Sequence, residues 1–105
     1  MPSLPVSIVR FVDETQPGIV ECEFTDAYQR AHRLVDKVPI FSERNLWKDS
    51  QYPQPGTVDC RIDAVFSDAL GRELARITIG CPDESVDGET EFVVERSRII
   101  DDPAT

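Results

Sequence analysis

Apolar and polar residues alternate along most of this chain. In residues 19–25, Val20, Cys22 and Phe24 stand on one side, with Ile19, Glu21 and Glu23 on the other. Val58, Cys60 and Ile62 stand in the same way against Thr57, Asp59 and Arg61. A period of two with one apolar side predicts a half-buried antiparallel strand. The pattern places strands at 5–12, 19–25, 31–38, 57–66, 73–80 and 91–96. The first has apolar residues on both faces: Val6, Ile8 and Val12 on one, Val9 and Phe11 on the other. The third is interrupted by Arg33, Asp36 and Lys37. The fifth points Ala75, Ile77 and Ile79 one way, and the sixth points Phe92 and Val94 inward.

One stretch occurs twice. Gln16-Pro17-Gly18-Ile19-Val20-Glu21-Cys22-Glu23-Phe24 returns as Gln54-Pro55-Gly56-Thr57-Val58-Asp59-Cys60-Arg61-Ile62. The match resumes at Thr25-Asp26-Ala27 with Arg30, against Ser67-Asp68-Ala69 with Arg72, so segments 16–30 and 54–72 are similar. Each Pro-Gly predicts a turn, because Pro fixes φ and Gly accepts positive φ. The second copy holds four extra residues, Asp63 to Phe66. An even insertion keeps a strand's faces in phase, which predicts Ala64 and Phe66 on the inward side with Cys60. The repeat is either one hairpin design used twice or a pair of equivalent binding edges.

Between the copies, Ser42 can cap a short helix at 43–48, with Phe41 and Leu46 at the positions of a hydrophobic staple. Under two turns long, it depends on packing through Leu46 and Trp47. Residues 50–56 form a Pro-rich connector. Tyr52 before Pro53 permits a cis bond, with trans the expected state. Asp68 to Gly71 reads as a hairpin loop with Gly at a left-handed position. Residues 81–90 make an acidic loop broken by Pro82 and Gly88, and a loose tail is expected over 101–105. The expectation is an all-β fold and a single domain over 1–105. It is a six-stranded antiparallel barrel or sandwich with a short helical turn between two similar hairpin halves.

Hydrophobic residues make up 40% of the chain, enough for a packed core. No apolar run approaches the roughly 18 residues of a membrane span. The N-terminus, Met1-Pro2-Ser3-Leu4-Pro5, lacks the basic and apolar regions of a secretory signal. Three cysteines without a CxxC predict buried free thiols in a reducing cytoplasm, although a Cys22–Cys60 disulfide is possible if the repeated strands are neighbours. Net charge is −9, and −6 of it falls within residues 83–102. Such a surplus disfavours phosphate backbones and anionic membranes; it is compatible with a basic protein partner and equally with plain solubility.

Little catalytic chemistry is visible. His32 is the only histidine and has no local motif, so a surface or strand-face role is expected. His32 with Cys22, Cys60 and Cys81 is too dispersed for a zinc site. Glu21 with Glu23, and Asp59 with Asp63, read as solvated charged faces rather than acid–base pairs. Asp83-Glu84 and Asp87-Gly88-Glu89 lack the spacing of a calcium loop. No phosphate-binding glycine loop is present. No cofactor or metal is expected. Trp47 and Tyr52, if exposed, would anchor a partner or ligand; if buried, they would close one end of the barrel.

The runs Val9-Arg10-Phe11-Val12-Asp13-Glu14, Pro17-Gly18-Ile19-Val20-Glu21-Cys22, Asp36-Lys37-Val38-Pro39-Ile40 and Tyr52-Pro53-Gln54-Pro55-Gly56 together resemble a group of small uncharacterised bacterial all-β proteins. The likeness spans about residues 8–96. It implies a bacterial cytoplasmic protein and assigns no site residues.

The expected function is therefore non-enzymatic. An acidic β-domain would bind another protein, as an inhibitor or immunity-type protein does, through Asp83, Glu84, Asp87, Glu89 and Glu91 together with Trp47 and Tyr52. The alternative is a β-barrel that binds a small molecule at an open end near Trp47 and Tyr52.

Overall fold

A computed structural model describes residues 1–101 of the chain. Six strands form one antiparallel sheet: β1 (Ser3–Asp13), β2 (Ile19–Thr25), β3 (Ala31–Lys37), β4 (Gln54–Ser67), β5 (Glu73–Ile79) and β6 (Glu91–Glu95). Their order across the sheet is β3-β2-β1-β4-β5-β6. Two meanders, β1-β2-β3 and β4-β5-β6, therefore meet at a single antiparallel seam between β1 and β4. The sheet curls into a half-barrel around a core that includes Leu4, Ile8, Val20, Leu34, Val58 and Ile77. These are the inward positions of the alternating pattern, and burying them drives the curl.

Closure relies on hydrogen bonds from outside the sheet ladder. The Ala27 N–H donates to the Val93 carbonyl at 2.8 Å, which draws the β2–β3 turn onto β6. The Arg72 Nη1 donates to the Ala27 carbonyl at 3.1 Å, so the β4–β5 turn is tied to the β2–β3 turn. After a 3₁₀ turn at Arg96–Arg98, Ile100 pairs with Ser3 through two bonds of 2.9 and 2.8 Å.

The repeated segments build the same turn. Asp26 and Asp68 each open a five-residue loop and donate N–H to the carbonyl of Arg30 and Arg72, respectively. One oxygen of each carboxylate accepts from two backbone N–H groups, Tyr28 and Arg30 in the first loop, Leu70 and Arg72 in the second. The fourth position has positive φ in both, 67° at Gln29 and 79° at Gly71. This is a hairpin turn closed by a bulge residue, and the Asp side chain fixes its register. The loop at 85–89 repeats the scheme with Ser85 in the Asp place and Gly88 at φ 82°.

Several expectations are corrected. The helical turn, α1, lies at Val38–Phe41 and not at 43–48. Pro39 suits its first turn, Val38 and Phe41 bury themselves in the core, and Ser42 ends it in an extended conformation. Residues 47–50 instead close a turn in which Ser50 holds both the N–H and the carbonyl of Trp47. Leu46 is buried as expected, but Trp47 is exposed, so the longer helix lacks one of the two side chains it was to pack through.

Second, only the first Pro-Gly is a turn. Gly18 has φ 99°, whereas Pro55 and Gly56 lie inside β4, opposite Ser7 and Val6. Gly is needed at 56 for space: a Cβ there would sit 2.9 Å from both Ile8 Cδ1 and the Phe41 carbonyl oxygen. Third, the β4–β5 register shifts between Ile62 and Ala64. A β-bulge adds an odd residue to the even insertion, so Ala64 falls opposite outward Arg76, and Phe66 is 38% exposed. Fourth, Glu21 is buried, clamped by Arg10 at 3.2 Å and Arg33 at 3.1 Å. Tyr52–Pro53 is cis and not trans as expected; Gln16–Pro17 and Cys81–Pro82 are cis as well. In the tail, Asp101 accepts two bonds from Arg96; residues 102–105 lie outside the described residues.

Candidate functional site

The acidic loop, residues 80–90, is a tethered extension of the β5–β6 hairpin. The Ile79 N–H reaches the Thr90 carbonyl at its base, and Ser85 N–H reaches the Glu89 carbonyl near its tip. Ser85 is buried, and its Oγ accepts the Glu89 N–H at 3.1 Å. The Val86 N–H donates to the Arg33 carbonyl on β3 at 2.9 Å, so the loop tip is fixed to the far edge of the sheet.

Five acids sit on or beside this loop, in two classes. Glu89 lies 3.4 Å from His32 Nδ1, and Glu91 lies 3.8 Å from Arg76. Asp83, Glu84 and Asp87 are exposed and have no ionic partner among the described residues. Elsewhere acids are more often engaged: Glu21 with Arg10 and Arg33, Glu14 with Lys48, Asp63 with Arg61, Asp68 with Arg72.

His32 stands at the root of the loop. It is on a strand face, as expected, but it is 5% exposed. Phe24 and Phe92 flank its ring, with centroids at 5.3 and 4.8 Å. Its Nε2 lies 2.7 Å from Asp26 Oδ2 and its Nδ1 faces Glu89. Burial works against ionisation of Asp26, but hydrogen bonds from His32 and from the Arg30 and Tyr28 N–H groups outweigh it and hold the carboxyl below its usual range. The arrangement braces the β2–β3 turn and the acidic loop against each other. A crevice of about 120 Å³ beside it is lined by Tyr28, Arg30, Arg76 and Glu91.

Trp47 and Tyr52 lie at the other end of β3. Trp47 is 57% exposed, and Tyr52 packs against the core with its hydroxyl donating to the Trp47 carbonyl at 2.7 Å. Trp47 lines a groove of about 720 Å³ with Phe11, Pro17 and Leu46. Lys48 and Glu14 face each other across its rim at 3.6 Å. Tyr52 does not line that groove, so the structure does not join these two aromatics into one surface, nor bring them to the acidic loop.

A second cavity, of about 640 Å³, opens at the N-terminal end of β1. It is lined by Pro2, Cys60, Ile62, Ile79 and Cys81. Cys60 and Cys81 lie far apart in sequence with no motif between them, and only the β4–β5 pairing, with Cys60 opposite Ile79, brings them to this end of the sheet. All three cysteines are free. Burial pushes the Cys22 thiol up to about 12 and the Cys60 thiol up to about 11; Cys81, expected to be buried like them, is exposed beyond the end of β5. Among the described residues no cluster of His, Cys, Asp and Glu has the makings of a metal site, and no helix is long and apolar enough to cross a membrane.

No protein-family description, curated protein or solved structure matches this chain.

Proposed function

We propose that the protein is a non-enzymatic, acidic β-domain that binds a basic protein through the loop at 80–90. One observation carries the reading: Asp83, Glu84 and Asp87 are three exposed, uncompensated carboxylates on a loop already fixed in shape. A pre-ordered loop avoids the entropy cost of being organised on binding. Free like charges on it steer a cationic partner and speed encounter. Glu89 and Glu91 contribute to the field but are held by His32 and Arg76. A protein that neutralises a basic enzyme is one form of this function. Buried reduced thiols suit a reducing compartment such as a cytoplasm.

The test is capture of partners from a host lysate at low and high salt, with the triple variant Asp83→Lys, Glu84→Lys, Asp87→Lys as control. Glu89 is left intact so that its contact with His32 survives. A basic protein held at low salt, released at high salt and lost by the triple variant supports the reading. Retention unchanged by the triple variant refutes it. The 640 Å³ cavity favours a second reading, a small apolar ligand at that end of the barrel. Native mass spectrometry of protein from its own host decides that point: a reproducible added mass supports a ligand, and a bare chain opposes it.

A further inference from the structure

From Ile62 to Ser67, β4 has a strand on one side only. β1 pairs with β4 as far as Asp59, and the Cys60 N–H still reaches the Pro2 carbonyl. Beyond that point β5 is its sole strand partner among the described residues. A bare strand edge presents unpaired N–H and C=O groups and is a template for another strand. Apolar side chains flank this one: Val65 is 50% exposed, Phe66 38% and Leu70 82%. Proteins blunt such edges with bulges and charges. Here the bulge and the Arg61–Asp63 ion pair cover the first part of the edge. They stop short of Ala64-Val65-Phe66-Ser67, which carries no charge.

We propose that this edge pairs antiparallel with the same edge of a second copy, about a two-fold axis through Val65. The segment is self-complementary in that register. Val65 meets itself, Ala64 meets Phe66, and Asp63 meets Ser67, so no like charges oppose. An axis through Ala64 would set the Asp63 carboxylate against Val65. The contact is short, which places it among weak interfaces. Each copy carries −9, so long-range repulsion opposes assembly and salt relieves it. Dimerisation thus strengthens with salt, whereas capture of a basic partner by the acidic loop weakens.

Sedimentation velocity of the full chain tests this, from about 10 µM to about 500 µM, where weak interfaces assemble. The dimer fraction should rise with concentration, and rise again between about 0.05 M and about 0.5 M salt. Val65→Lys, at an exposed position, sets two cations on the axis and should return the protein to monomer. Leu70→Lys should weaken the dimer, and Val86→Lys, also exposed but on the acidic loop, should leave it intact. Amide exchange at 64–67 should slow as the dimer forms. A monomer at every concentration in high salt overturns the proposal, as does a dimer indifferent to Val65→Lys. The acidic-loop variant leaves this edge untouched, so either proposal can fail alone.

Discussion

Asp26→Ala removes more than a turn residue. Asp26 is buried, and its carboxylate accepts from Tyr28 N–H at 2.8 Å, Arg30 N–H at 3.0 Å and His32 Nε2 at 2.7 Å. Loss of a side chain that caps backbone N–H groups costs about 1 kcal/mol, by analogy with helix caps. Leaving a buried His32 nitrogen without its partner adds about 1–3 kcal/mol. The expected loss is about 2–4 kcal/mol, on the order of 10–15 °C in Tm for a domain of this size. Asp68→Ala is the internal control. Asp68 makes the same turn, with backbone bonds of 2.9 Å, but its side chain is 17% exposed against 2% for Asp26 and it has no buried His to satisfy. Its shift in Tm should be clearly smaller. His32→Phe in the Asp26→Ala background should recover part of the loss, because a phenyl ring suits the space between Phe24 and Phe92 and has no polar atom to leave unpaired. Thermal unfolding followed by circular dichroism measures all four proteins. Equal shifts for Asp26→Ala and Asp68→Ala, or no recovery in the double variant, would refute the burial argument.

Three further outcomes are expected. Asp26 ionises below its ordinary value of 3.8 in the folded protein, so the unfolded chain takes up the proton first; the stability it provides is complete above that value and is lost as pH falls through the lowered one. Acid titration of stability should therefore show a shallower limb in Asp26→Ala than in wild type. Gly56→Ala should destabilise by about 1–3 kcal/mol through overpacking, since the Phe41 carbonyl cannot move aside cheaply, while Gly80→Ala, where a Cβ meets nothing within 4 Å, should be close to neutral in urea unfolding. A thiol reagent should modify Cys81 alone in the native protein and all three cysteines in denaturant; rapid native modification of Cys22 or Cys60 would contradict their burial.

The strands were legible because their burial is local. Val20, Cys22, Phe24, Val58 and Cys60 are buried just where alternation put them. Strand order was not legible, since the β1–β4 seam joins residues about fifty positions apart and leaves no local mark. The misplaced helix shows the limit of cap signals: Ser42 can begin or end a helical turn, and the packing of Val38 and Phe41 decided which. Counting the insertion as even was sound for a regular strand and failed at a bulge, which periodicity cannot see. For the candidate site, the acids were readable and their restraint was not. His32 gave no motif because its two carboxylate neighbours come from different turns, one of them 57 residues away. Trp47 and Tyr52 are close in sequence, yet one side chain faces solvent and the other the core.

The single seam between the two meanders divides the molecule in a useful way. Cut in the exposed stretch at 43–45, the chain falls into two three-stranded pieces, each an internally paired meander and each with one newly bared edge, β1 on one and β4 on the other. Those edges fit one another along six residue pairs, from Ser3 with Asp59 to Ile8 with Gln54. The Arg72–Ala27 bond and the Ile100–Ser3 pair then fasten the halves at separate points. The fold is in this sense a complementation pair written on one chain, whose two fragments would carry in their broken edges the instructions for finding each other.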